Sequence, residues 1–347
     1  MRTVVLKSPH ENMQALGPWT AAWYMILFAL CGIFFKEVMI SVRQIGGNCM
    51  SGKLSSYTRI LRPVIVTVMV LLMMLPASCL SVGTYNYRYK NSGRYSYGGA
   101  RLDKRFDNID IDWISGTVTV KAYSGNTVVI SEEAGHDLSP EMQVHYFADG
   151  NDLSIKFMRA GRRKITELRK DLTVMVPGYM LEQLRVTVIS SDIDIEGTEN
   201  ETLEVSSVSG DIRLADVRSE KGCKLESVSG DITAERSAFR KIEMDTVSGN
   251  TEIISGSGAE ISVNTTSGNI TVKADMPADK TDIDTISGDV LFYVKGDEDM
   301  AFRFESVSGS FETDVPMTMS GDRMIMGRGR KTAEISSISG DLSVKAG

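Results

Sequence analysis

Leu203-Glu204-Val205-Ser206-Ser207-Val208-Ser209-Gly210-Asp211-Ile212-Arg213-Leu214 returns 20 residues later as Cys223-Lys224-Leu225-Glu226-Ser227-Val228-Ser229-Gly230-Asp231-Ile232-Thr233-Ala234. Further copies centre on Gly249, Gly268, Gly288, Gly309 and Gly340, and earlier ones on Ser115-Gly116 and Ser190-Ser191. From Ser191 to Gly309 the intervals are 19, 20, 19, 19, 20 and 21 residues. Within each copy, apolar residues alternate with others on both sides of the Ser-Gly-Asp centre, which is the period of a strand. Gly frees the backbone at that centre and Asp or Asn bonds locally, so it reads as a bend between two strands. The expected bends are Gly116, Gly210, Gly230, Gly249, Gly268, Gly288, Gly309 and Gly340. A unit of ~20 residues cannot bury its own apolar face, whereas a stack of such units can. The expectation is an all-β fold, a β-solenoid (β-helix-like) of ~20-residue repeats. At ~4.8 Å between coils, Val208, Val228, Val247, Thr266, Ile286 and Val307 should form one internal column.

Outward from the repeats the pattern changes. Stretches between residues 117 and 176 alternate like hairpin strands, with turn signals at Ser124-Gly125-Asn126 and Asp149-Gly150. Residues 102–178 are therefore expected to form an antiparallel lead-in sheet, and 179–347 the repeats. Residues 80–101, rich in Tyr, Gly, Ser and Asn, read as a tether. The 31-residue interval from Gly309 to Gly340 predicts one extra hairpin before the last coil. The last strand, Asp341–Gly347, has no segment after it and is expected to offer a free edge to a partner strand.

Two apolar stretches precede the tether, Trp19–Phe35 and Val64–Leu75. The second has the layout of a signal peptide over residues 50–79. Lys53, Arg59 and Arg62 lead it, its apolar run is shorter than the ~20 residues that span a bilayer, and small residues follow. Leu75-Pro76-Ala77-Ser78-Cys79 resembles a bacterial lipobox, departing from it at Pro76, and the resemblance implies lipidation of Cys79. Met50 stands just ahead, so residues 1–49 are an upstream extension or a transmembrane segment. The domain is thereby expected outside the cytoplasm, in the cell envelope, anchored to the membrane by lipid or by its N-terminal segment.

From Leu80 onward the chain has 31 Lys and Arg against 43 Asp and Glu, a net −12. That balance argues against nucleic acid, whose affinity comes from neutralised phosphates. Cys223 is the one cysteine after Cys79, so packing and hydrogen bonds rather than an internal disulfide must hold the domain.

The iterated Val-Ser-Gly-Asp-Ile units resemble the bacterial toast-rack β-strand-repeat family, a group of cell-envelope domains that carries an adhesin label. Asp171-Leu172-Thr173-Val174-Met175-Val176-Pro177-Gly178 before the regular repeats matches too, as does Gly327-Arg328-Gly329 before the final one. The resemblance covers about residues 102–347. It implies the fold, an anchored envelope location and, for some relatives, envelope-stress systems. It brings no catalytic residues.

Several groups are candidates for more than architecture. Asp211, Asp231, Asn250, Asn269, Asp289 and Asp341 follow the bends. Stacked carboxylates such as Asp211, Asp231 and Asp289 could collect Ca²⁺, but Asn replaces Asp freely here, which suits bend capping better. Glu226, Asp245, Asn264, Asp284 and Glu305 form a second polar column expected to face solvent. Arg159, Arg162, Arg163, Lys164, Arg169 and Lys170 read as a solvated basic loop. His136 and His145 sit in no nucleophile constellation, and Cys223 falls on an inward strand position. Asp192, Asp194 and Glu196 share a strand face, but the same alternation recurs in most repeats, so it reads as architecture rather than a glycosidase pair. No cofactor is expected. The best reading is a non-catalytic envelope-anchored binding or scaffold module acting on an envelope protein or glycan, in one version within envelope stress. A surface adhesin or glycan-binding protein, a self-assembling structural solenoid and, last, a polysaccharide-active β-helix enzyme are the alternatives.

Overall fold

The computed structural model describes residues 87–161, 168–254, 256–296 and 298–347. The leader, Cys79 and residues 80–86 of the expected tether lie outside them. Apart from a 3-10 turn at Ser92–Arg94, every regular element among the described residues is a strand. The first eight are β1 (Ser96–Tyr97), β2 (Ala100–Leu102), β3 (Asn108–Tyr123), β4 (Val128–Ala134), β5 (His145–Asp149), β6 (Asp152–Lys156), β7 (Lys170–Pro177) and β8 (Leu181–Glu196). The regular coils follow, each a longer strand and a shorter one: β9 (Glu199–Ser209) with β10 (Ile212–Ala215), β11 (Arg218–Ser229) with β12 (Ile232–Glu235), β13 (Ala238–Ser248) with β14 (Thr251–Ile254), β15 (Ser257–Ser267) with β16 (Ile270–Lys273), and β17 (Lys280–Ser287) with β18 (Val290–Val294). Last come β19 (Met300–Ser306) with β20 (Phe311–Thr313), the hairpin β21 (Thr318–Ser320) and β22 (Arg323–Met326), and β23 (Lys331–Ser339) with β24 (Leu342–Ala346).

Long strands stack on long strands and short on short, in parallel register. Leu225 lies beside Val205 and Met244, and Ile232 beside Ile212 and Thr251. The β-solenoid expected from the repeat is therefore the fold. Its core is a set of columns running through the stack, such as Val205, Leu225, Met244, Val263, Ile283 and Ile335, all buried. Each such side chain contributes about 1.5–3 kcal/mol relative to exposure.

The stack does not follow chain order at its ends. β3 lies between β8 on one side and β6 followed by β7 on the other. At the far end β23 sits between β17 and β19, and β24 between β18 and β20. The last coil in sequence is thus the next-to-last in space. This overturns the free terminal edge expected for Asp341–Gly347: β24 is paired on both sides, and the outermost short strand is β20. The expected hairpin is present as β21–β22, and it packs antiparallel on β19.

The lead-in segment is mixed rather than antiparallel. β6 and β7 join β3 in parallel, while β5 and β4 cover them antiparallel and are covered in turn by β1 and β2. From Tyr87 onward the expected tether is folded onto this end. Tyr87 Oη accepts the Phe157 amide at 3.2 Å, Tyr89 Oη donates to the Met158 carbonyl at 3.1 Å, and the rings of Tyr87, Tyr89, Tyr95 and Phe147 pack in series. A Tyr-rich stretch has the polarity of a linker but carries large ring areas that are stabilising to bury.

Candidate functional site: the outer face of the rack

Strict alternation places the side chains of each long strand. In β11, Cys223, Leu225 and Ser227 point inward and are buried, while Val228 is half-exposed. The same holds in every regular coil. The column that continues the core is Ser207, Ser227, Thr246, Thr265, Thr285 and Ser337, all buried. Val208, Val228, Val247, Thr266, Ile286 and Ile338 stand half-exposed on the outside, and Val307 is 50% exposed. The internal column expected from Val208, Val228, Val247, Thr266, Ile286 and Val307 is therefore an external one. The reason is parity: two residues on from Leu225 comes Ser227, and hydropathy does not change which side of the sheet it faces. In space Ile338 also stands between Ile286 and Val307, since β23 lies between their strands.

Beyond the outer column comes the corner. Gly210 and Gly230 have φ of 129° and 141°, a region that side chains with a Cβ rarely enter. A Cβ on Gly230 would lie 2.2 Å from the Gly210 carbonyl oxygen. Gly116, Gly249, Gly268 and Gly288 repeat the corner with positive φ. At Gly309 and Gly340 the approach alone excludes a side chain, with a Cβ at 1.9 and 2.1 Å from the neighbouring coil's carbonyl. Since Gly309 abuts Gly340 and Gly340 abuts Gly288, the glycines also record the exchanged order of the last coils.

The Asp/Asn column is a hydrogen-bonded ladder. The Asp231 amide donates to Asp211 Oδ1 at 2.8 Å, Asn250 to Asp231 at 2.6 Å, Asn269 to Asn250 at 3.0 Å and Asp289 to Asn269 at 3.0 Å. The Asp341 amide donates to Asp289 at 3.0 Å, and the Ser310 amide to Asp341 at 2.7 Å. Each side chain accepts the corner amide of the coil above, a task that Asp and Asn perform alike. The two hydrogen bonds from Ser310 hold the Asp341 carboxyl below the usual carboxylate range. For Asp211, Asp231 and Asp289, one carboxylate oxygen is thus committed to the backbone. Among the described residues no cluster of three or more His, Cys, Asp and Glu is arranged to hold a metal.

The second polar column points outward but is less solvated than expected. Glu226 and Asp245 are buried between their neighbours. Glu226 accepts from Ser206 Oγ at 3.1 Å and pairs with Lys224, while Asp245 accepts from Asn264 Nδ2 at 2.8 Å. Burial raises the carboxyl pKa of Asp245 and of Asp284. Long neighbouring side chains on a flat sheet cover one another, a long-range effect that the repeat pattern does not show.

The remaining candidates fall elsewhere. Lys170 is not part of a solvated loop. It is fully buried, its Nζ 2.7 Å from both Glu132 Oε2 and the Met142 carbonyl and over the rings of Trp113 and Phe157. Burial draws its pKa down to about 8, against the pull of Glu132. Arg162, Arg163 and Lys164 lie outside the described residues, and Arg159 faces Glu141 at 3.9 Å. His145 is buried with Nδ1 2.9 Å from the Gln143 carbonyl, and burial lowers its pKa. The Cys223 thiol is buried and its pKa pushed up by that burial. Asp192 accepts the Asp211 amide at 3.1 Å and Glu196 pairs with Lys121 at 2.8 Å. Gly327–Arg330 wraps Asp299, which accepts the Arg328 amide at 2.8 Å and pairs with Arg330 at 2.6 Å.

A stack of parallel coils cornered by glycine and laced by Asp and Asn defines a repeat scaffold whose surfaces are ladders. The chain belongs to the Toastrack DUF4097 family, whose sequence profile matches residues 106–345. Among solved structures, a "putative lipid binding protein" from Parabacteroides distasonis is 15% identical, with 74% of this chain and 97% of that one covered and a TM-score of 0.46. A "putative adhesin" from the same organism is 12% identical, with 72% and 96% covered and a TM-score of 0.41. A "putative adhesin" from Bacteroides fragilis is 15% identical, with 72% and 95% covered and a TM-score of 0.30. No curated protein matches the chain. Among the described residues no helix is long and apolar enough to cross a membrane.

Proposed function

We propose that this chain is a non-catalytic binding or scaffold module of the cell envelope, with the outer face of its long strands as the contact surface. One observation carries the reading: a column of Val and Ile, interrupted by Thr266, runs from Val208 to Val307 along the outside of the rack, beside a column of carboxylates and amides. An outward stripe of Val and Ile side chains on a rigid sheet, broken at Thr266, suits a partner of matching shape. The polar groups on the same face supply direction. The family supplies no activity, and of the carboxylates weighed for hydrolysis Asp192 is occupied by the Asp211 amide and Glu196 by Lys121. The anchor is the lipid expected on Cys79 or the N-terminal apolar segment, and the partner class favoured by the face is an envelope protein.

The experiment is photo-cross-linking in cells from position 229, at the rim of the apolar column, using the full-length chain. The reading expects one envelope protein to be captured repeatedly, and capture to be lost in V228K/V247K. Glycan adducts instead would favour the adhesin. Self-adducts with filaments would favour assembly. Capture that survives V228K/V247K would remove the outer face from the account.

A further inference from the structure

The coils repeat so regularly that local departures are informative, and two of them fall close together at the starts of the long strands. In β11 one extra residue within Glu220-Lys221-Gly222 breaks the register after Ser219 toward both β9 and β13. Two coils away, β15 opens with Ser257-Gly258-Ala259, where little side-chain volume is available. The bulge forms one wall and the Met276-Pro277 turn the other. Between them lies a groove of about 550 Å³, within the ~300–1,000 Å³ typical of small-molecule sites.

The lining divides by chemistry. Phe239 lies in the floor at 6% exposure, and Met276 stands on the rim at 65%. The cations are Arg218, Arg240 and Lys331, and the carboxylates Glu220 and Asp279. Arg218 and Glu220 satisfy each other at 3.2 Å. Lys331 Nζ donates to the Pro277 carbonyl, which leaves it further donors. Arg240 is exposed and has neither an ion pair nor a hydrogen bond among the described residues. The groove thus pairs an apolar wall with an uncommitted guanidinium in a domain that is otherwise acidic.

We infer that this groove binds a small amphipathic carboxylate of the fatty-acid type. The alkyl chain lies along Phe239, Met276 and Pro277, where a flexible thioether adapts to its shape. The carboxylate takes the planar fork of Arg240, with the Lys331 ammonium as a second cation. The inference does not rest on the outer-face reading, because the groove lies at the opposite end of the long strands from Val228 and Val247.

The test uses the full-length chain in an amphipathic polymer and dodecanoate labelled with ¹³C at its carboxyl carbon, titrated below its micellar concentration and read by NMR. Dodecyltrimethylammonium is the parallel probe. The expected result is saturable binding of dodecanoate, weakened about tenfold or more by R240A, weakened less by R240K and lost in M276D, with V228K unchanged. Arg240 and Met276 are exposed, so these variants keep the fold, and comparison with R240A subtracts uptake by the apolar leader. Absence of saturable binding, equal binding by R240A, or equal binding of the cationic probe would overturn the inference.

Discussion

Ser227 and Val228 are neighbours in the chain and stand on opposite sides of one sheet, the hydroxyl inside and the aliphatic group outside. The same inversion recurs from Ser207/Val208 to Ser337/Ile338, except at Thr265/Thr266. Polarity does not assign a residue to its side; the backbone ladder does, through the parity of positions counted from Leu225 or Val205. The inner layer does not require a hydroxyl. Val188 and Trp113 occupy the same register positions at the start of the stack and are buried there. The Ser and Thr hydroxyls of this layer find no hydrogen-bond partner among the described residues. The outer aliphatic column is equally unnecessary to the core, and the proposed contact surface takes that as its premise.

Beyond both columns the chain turns at the glycine corner, and the largest effect is expected there. Gly230→Ala would drive a Cβ into the Gly210 carbonyl at a φ of 141°. It should cost more than about 4 kcal/mol or abolish folding, read by denaturant unfolding; a loss under about 1 kcal/mol would mean that the corner yields easily.

Lys170 extends the contrast to charge, because it is a polar group inside that is fully partnered. Its folded pKa, about 8, lies below its ordinary value of 10.5. Between those limits the unfolded chain holds a proton that the folded chain has lost, so this group makes stability rise with pH across that window. Lys170→Met should remove that rise, seen as a flatter denaturation midpoint from pH 8 to 10.5. An unchanged profile would show that the buried ammonium titrates normally.

Asp231→Ala should cost about 1 kcal/mol by leaving the Asn250 amide without its acceptor. Asp231→Asn should cost less than about 0.5 kcal/mol, since Asn250 and Asn269 already serve in the ladder. Parity with a large loss in Asp231→Asn would point to a role for the charge.

The smallest effects separate the two columns directly. Thr265→Val is expected to leave stability unchanged or raise it by up to about 1 kcal/mol, because it removes a buried hydroxyl that has no partner among the described residues. Val247→Thr on the outer face should fall within about 0.5 kcal/mol of wild type. A clear loss in Thr265→Val would show that the inner hydroxyls are hydrogen-bonded after all. A clear loss in Val247→Thr would make the outer column structural.

The coil, its period and its glycine corner were legible in the chain because they are local; the Asp/Asn column was legible only as a local bend cap, whereas its side chains accept the amide of the next coil, 19 or 20 residues on. Alternation, a residue without Cβ and a short amide or carboxyl side chain each act within one repeat and its neighbour. The side taken by Ser227 was legible as well, by counting in twos, but hydropathy points the other way. Only the tertiary structure decided that β23–β24 slips between β17–β18 and β19–β20, since every coil presents a similar edge and local pattern fits several stacking orders equally. It alone decided that Tyr87, Tyr89 and Tyr95 fold onto the lead-in end, that Lys170 is enclosed by Trp113, Phe157 and Glu132, and that Glu220 and Met276 face each other across a groove. Each of these is a meeting of residues far apart in sequence. Such meetings depend on which strands pair, and no property of the single residues carries that information.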